Sequence, residues 1–186
     1  KMLVEKQIML WAKDEDLENI FDSFGWSGKL KSAKCPWYTK DCISESLAIN
    51  EANLGVNKAN CCIERKVKLL ITREDNLIKH NLEIKFKNNS NNEWGGKYKA
   101  WVRVYAPDPK NVQGFWADVS VGEEKTYDVE YELLLEKSQK ESIYLLIQKQ
   151  SGIKSIPMEI KYRDTNNGKE INRVMEIARD IQLELK

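Results

Sequence analysis

Histidine occurs once, as His80, in a chain of 186 residues. A Ser-His-Asp or Cys-His arrangement would have to be built on that single ring. His80 alternates with Leu82, Ile84 and Phe86, which puts it on the apolar face of a strand-like run, and no Gly-x-Ser-x-Gly elbow presents a serine. The expectation is a partly buried, hydrogen-bonded histidine. Phosphate-cradling loops are missing too: Gly95-Gly96 lacks the further glycines such a loop needs and reads as a turn. Paired carboxylates for glycoside cleavage are diagnosed by their separation in space, and the acids here fall mostly on polar strand faces or in turns. No catalytic residue is assigned.

Other absences narrow the class further. The four cysteines, Cys35, Cys42, Cys61 and Cys62, contain no Cys-x-x-Cys pair, so neither a zinc site nor any other metal or cofactor is expected. Thirty basic residues against 29 acidic ones leave a net charge of +1, with no basic stripe for nucleic acid. No apolar run approaches the ~20 residues that a membrane helix needs. Lys1-Met2-Leu3-Val4-Glu5 is not a signal peptide, and the start without an initiator Met reads as an excised fragment whose targeting signal lies upstream.

What is present is strand periodicity. Residues 7–12 read as a short strand, followed by a helix that opens on Asp14-Glu15-Asp16, places Leu17, Ile20, Phe21 and Phe24 on one face, and ends at Gly25. Residues 26–48 read as a loop. Beyond it, Ile63, Val67, Leu69 and Ile71 share a face with Cys61, and Tyr127, Val129, Tyr131, Leu133 and Leu135 alternate with polar residues. Further alternating runs end at Ile147 and Tyr162, and Ile181, Leu183 and Leu185 favour strands at the C-terminus over a helix. Turn residues stand between these runs. The pattern predicts a mainly β fold: an antiparallel β-sandwich, immunoglobulin- or fibronectin-like, over residues 49–186. Residues 1–48 form an N-terminal strand-helix-loop segment that closes an upstream domain.

Aromatics cluster between residues 94 and 116. Trp94, Tyr98, Trp101 and Trp116 either form a platform for sugar rings or fill a sandwich core or edge. Tyr98, Ala100, Val102 and Val104 alternate with Trp101, Arg103 and Tyr105, so both faces of this strand are rich in large or apolar groups and something should cover one of them. Cys35 and Cys42, separated by a turn containing Pro36, are either bridged or free; Cys61 is expected to point inward and Cys62 outward, unbridged.

Several runs carry a family resemblance. Glu51-Ala52-Asn53-Leu54-Gly55-Val56-Asn57-Lys58-Ala59-Asn60, Trp94 to Lys99, Arg103 to Pro107, Gly122 to Thr126 and Leu145 to Gly152 are collinear and resemble motifs of the bacterial domain-of-unknown-function 4012 family. Lys6 to Trp11 and Phe24 to Gly28 fit its upstream stretch. Glu51 stands where the family has Asp, Cys61-Cys62 where it has aromatics, and the last twenty or so residues match no motif. The resemblance covers the C-terminal half of such proteins. It implies an extracytoplasmic, cell-surface protein tethered to the membrane by a segment outside this chain, and it implies no reaction. It also strengthens the case for a Cys35–Cys42 bridge. Asn53, Asn57 and Lys58 are then either a structural turn or a contact site, with Lys58 the residue whose charge a turn does not require. The function expected is a non-enzymatic envelope module that contacts surface polysaccharide or a partner protein. The alternative is the accessory half of an enzyme acting on cell-wall polysaccharide.

Overall fold

Alternation of inward and outward side chains governs the chain from residue 43 onward in the computed structural model, which describes residues 2–38, 42–91, 93, 95–108, 110–135 and 142–185. The strands are β1 (Ile43–Asn53), β2 (Ile63–Glu74), β3 (Leu77–Asn88), β4 (Tyr98–Tyr105), β5 (Val112–Val119), β6 (Glu124–Leu134), β7 (Ile143–Gln148), β8 (Ile156–Asp164), β9 (Lys169–Ile177) and β10 (Ile181–Leu185). They form two five-stranded sheets: sheet I in the order β10-β7-β1-β4-β5, sheet II in the order β6-β3-β2-β8-β9. The expected mainly β sandwich is present. Its sheets are mixed rather than wholly antiparallel, because β1 pairs parallel with β7 and β2 with β8. These partners lie far apart in sequence, and the strands between them supply the long crossover that a parallel pair requires. A two-residue turn joins β2 to β3, with Asp75 at φ 54, a left-handed conformation that Asp tolerates better than most residues.

The core is the sum of the two inner faces. Leu47, Ile49, Ala100, Val102, Val104, Ile143 and Leu145 from sheet I meet Val67, Leu69, Ile71, Leu82, Ile84, Phe86 and Ile160 from sheet II, all buried. The alternation expected along β6 holds: Val129, Tyr131 and Leu135 are buried, and Tyr127 and Leu133 pack against the core. The C-terminal residues form strands, β9 and β10, as the alternation of Ile181, Leu183 and Leu185 predicts.

Four local expectations fail. Residues 7–12 form no strand; Leu10 makes one isolated bridge to Ser27, with its N–H 2.9 Å from the Trp26 carbonyl. Residues 43–48 are not loop but the first half of β1, where Ile43, Glu45 and Leu47 point inward and the polar Glu45 conceals the alternation. Cys61 is exposed rather than in the core, because Ala59–Cys62 form a 3-10 turn and β2 begins only at Ile63, so strand periodicity does not reach back to it. Cys61 and Cys62 are bridged to each other, against expectation; Cys35 and Cys42 are also bridged, with Cα atoms 5.8 Å apart.

The helix α1 (Glu15–Ser23) has the caps its sequence announces. The Asp14 carboxylate accepts the Leu17 N–H at 2.9 Å. Gly25, at φ +71, ends it in a Schellman arrangement, with the Trp26 N–H donating to the Phe21 carbonyl and the Gly25 N–H to that of Asp22. Its apolar face does not pack down: Leu17, Ile20 and Phe24 are exposed. The buried contact of α1 is Glu18 instead, which accepts the Ala12 N–H and lies 3.6 Å from the Lys29 ammonium.

Past α1 the chain runs over the outer face of sheet I. The Ala33 N–H donates to Ser46 Oγ and the Lys31 N–H to Gln148 Oε1, each at 2.7 Å. Gln148 Nε2 donates to the Lys29 carbonyl and Gln182 Nε2 to that of Lys34. The segment thus covers β10, β7 and the start of β1, where Ser46 and Ala48 are buried although they point away from the core.

Candidate functional site

Strands β4 and β5 form the other half of sheet I. Along β4, Tyr98, Ala100, Val102 and Val104 point inward while Lys99, Trp101, Arg103 and Tyr105 point outward. Pairing places Trp101 opposite Trp116 and Arg103 opposite Gly114. The two indoles are 5.3 Å apart, edge to face at 60°. Trp116 is 57% exposed, and Trp101 is half-buried. The Trp101 ring lies across β5 at Gly114: a Cβ there would stand 2.5 Å from Trp101 Cζ2, closer than any side chain permits. Only glycine lets the indole lie flat on the strand, and the pair of rings makes an aromatic surface with two differently tilted planes. Lys97 holds the Asp118 carboxylate beside it at 2.6 Å, and that hydrogen bond keeps the carboxyl below the usual carboxylate range.

The other residues singled out in the sequence fall elsewhere. Tyr98 is fully buried and offers nothing to a surface ligand; its alternation with Trp101 puts it on the inner face. Trp94 lies outside the described residues. Asn53 and Asn57 build a turn at one end of the sandwich: Asn53 Nδ2 donates to the Asn57 carbonyl and to Asn57 Oδ1, Asn53 Oδ1 accepts the Gly55 N–H at 2.9 Å, and Asn57 Nδ2 donates to the Lys97 carbonyl at 2.7 Å. Every polar atom of the Asn53 amide is spent inside the turn. Lys58 is exposed next to it.

Two buried polar clusters, which apolar-inward reasoning passes over, tie sheet I to sheet II. Glu51 of β1 receives Arg65 Nε of β2 on both carboxylate oxygens, at 3.0 and 2.9 Å, and the Tyr98 hydroxyl at 2.6 Å. Arg65 also donates to the Ile63 carbonyl. Burial, reinforced by the Glu51 carboxylate, drives the Tyr98 phenol far above its ordinary value. At the other end of β1, Glu45 Oε2 lies 2.7 Å from His80 Nε2 of β3, and the His80 ring stacks on Tyr131 with centroids 4.3 Å apart. The side chains of His80 and Glu45 are 0% and 1% exposed. A histidine beside a carboxylate has the chemistry of a general base, but this pair is sealed between two sheets where no substrate reaches it. Its geometry is that of a clamp.

Among the described residues, no group of three or more His, Cys, Asp or Glu side chains could hold a metal ion, and no helix is long and apolar enough to cross a membrane. No family model matches the chain, and no curated protein or solved structure matches it.

Proposed function

We propose that the chain is a non-enzymatic module of the bacterial cell envelope that uses the β4–β5 half of sheet I to contact a surface polysaccharide. The observation behind this reading is the Trp101–Trp116 pair: two indoles on a sheet face that the N-terminal segment leaves uncovered, one of them 57% exposed. An exposed indole face attracts the C–H face of a pyranose ring; Trp116 offers one, while Trp101, half-buried over Gly114 and tilted 60° to it, is not coplanar with it as a two-ring platform would be. The collinear motifs from Lys6 to Gly152 that resemble the 4012 family support an extracytoplasmic, membrane-tethered setting, with the tether in a segment outside this chain.

The test is a binding titration of envelope-type polysaccharides followed by tryptophan fluorescence, with Trp116→Ala and Trp101→Ala as comparators. Binding that shifts the emission of the native chain and is lost in both variants, at unchanged melting temperature, is the expected result. Binding that survives in both variants would place the contact elsewhere.

A further inference from the structure

Outward side chains on β4 alternate along one line: Lys99, Trp101, Arg103. At the strand rise of ~3.3 Å per residue, their backbone positions lie about 6.6 Å to either side of Trp101 and so about 13 Å apart. Both are exposed. Among the described residues, no hydrogen bond or ion pair engages the Arg103 guanidinium, whose cross-strand partners are Gly114 on β5 and Asn50 on β1. Opposite Lys99 stands Asp118, already held by Lys97 at 2.6 Å. The outward side chains of β4 and β5 therefore carry Lys99 and Arg103 against a single carboxylate that a third cation has neutralised. Lys68, Lys79, Lys85, Lys125 and Lys161 each sit against a glutamate, whereas Lys99 and Arg103 bracket an aromatic surface.

We infer that the ligand of this surface is an acidic polysaccharide whose carboxylates are borne on the sugar rings themselves. The inference rests on the polysaccharide reading above and narrows it. A hexuronate ring supplies a C–H face for Trp101 or Trp116 and a carboxylate at its own edge, within reach of a neighbouring Lys99 or Arg103. The guanidinium offers the paired N–H groups that match a carboxylate. Their backbone positions are farther apart than one sugar ring is wide, so a polymer lying along β4 offers a separate carboxylate to each. A polyol phosphate has the charge but no ring to stack, and a neutral glycan has the ring but not the charge.

Polygalacturonate and the same polymer with its carboxyls methyl-esterified separate these terms, because they share a backbone and differ only in charge. Calorimetric titration of the chain with each is expected to give at least about tenfold tighter binding of the acid form, an advantage that shrinks as salt rises from roughly 50 to 500 mM. Arg103→Gln and Lys99→Gln should each lower acid-form affinity toward that of the ester, at unchanged melting temperature, whereas Trp116→Ala should weaken both polymers. Equal binding of acid and ester would overturn the charge inference and leave the platform standing. Binding of neither would overturn both. Tighter binding of polyglycerol phosphate than of polygalacturonate would overturn the ring-borne carboxylate.

Discussion

Replacing His80 by Leu is the sharpest probe of what holds the two sheets together. The His80 Nε2–Glu45 Oε2 contact of 2.7 Å joins β3 to β1 across the core, and both side chains are essentially inaccessible to water. Among the described residues, Glu45 Oε1 and His80 Nδ1 have no hydrogen-bond partner, so the contact between Nε2 and Oε2 is the one hydrogen bond each side chain makes. Removing the imidazole leaves a carboxylate in a core of Ile43, Leu47 and Ile78 with nothing to replace the lost partner. Loss of one member of a buried pair costs about 3–5 kcal/mol. The stacking on Tyr131 is lost as well, worth about 0.5–1.5 kcal/mol, partly offset by the apolar surface that Leu buries in its place.

Against a total stability of about 5–15 kcal/mol for a domain, this is a large fraction. With a urea m-value of about 2 kcal/mol/M, the unfolding midpoint should fall by about 2 M at unchanged m. Glu45→Leu combined with His80→Leu should recover most of the loss, because two leucines fill the gap without a buried charge. Glu45→Gln, which keeps a hydrogen-bonding group at the site, should cost about 1 kcal/mol. A His80→Leu variant within about 0.5 kcal/mol of the native chain would refute the reasoning. So would a double variant whose loss equals the sum of the single ones, since that would mean the two groups are not coupled.

Other expectations concern the platform, the phenols and the bridges. Gly114→Val should push the Trp101 indole off β5, alter the near-ultraviolet circular dichroism of the Trp101–Trp116 pair and cost about 1–3 kcal/mol by overpacking; an unchanged spectrum would show that the ring does not rest there. Tyr98 and Tyr131 are both driven above the ordinary phenol value of 10.0, chiefly by burial, with Glu51 and Glu45 adding to it. The unfolded chain therefore releases these two protons first, so their contribution to stability is complete below pH 10 and is lost above it, at about 1.4 kcal/mol per pH unit for each phenol. Absorbance at the phenolate wavelength should show both ionising only as the chain unfolds; ionisation near pH 10 in the folded chain would contradict this. Reduction of the Cys35–Cys42 bridge, which spans seven positions, should cost about 2.5 kcal/mol in the chain-entropy model, and the non-reduced mass should be four hydrogens below the reduced one, two for each bridge.

Period-2 reasoning works where a strand has an apolar inner face and fails where the inner face is charged. Val67, Leu69 and Ile71 of β2 were legible from the first, but Arg65, two residues earlier on the same inner face, was not, because an arginine between Glu64 and Lys66 looks like solvated surface. Glu45 hid the first half of β1 in the same way, and with it the partner that His80 needs. Helical periodicity misled in the opposite sense: Leu17, Ile20 and Phe24 do share a face, but a shared face does not say what covers it. On the candidate surface, Trp101 and Trp116 were visible as aromatics, whereas their pairing depends on the β4–β5 register. The role of Gly114 depends on where one indole lies, a tertiary fact that no local pattern carries.

The charged residues missed on the inner faces share one arrangement. β1 is the central strand of sheet I, and it sends two carboxylates inward six residues apart, Glu45 to His80 of β3 and Glu51 to Arg65 of β2. Between them lie only Leu47 and Ile49 on the inner face. Sliding β1 by two residues would keep every inward side chain inward and cost little in apolar burial, since Leu, Ile and Glu would exchange places in a row of similar volumes. It would also strand both carboxylates opposite aliphatic neighbours, at several kcal/mol each. Apolar alternation therefore fixes which face of β1 is buried, and the two acids fix where along sheet II it sits. β4 pairs with β1 from Ala48 to Asn53, so the strand that carries Trp101 is held along sheet II by the same two acids. The Glu51 clamp reaches that strand itself, since Glu51 pairs with Val102 and accepts the Tyr98 hydroxyl, whereas the approach of Trp101 to Gly114 is set by the β4–β5 register.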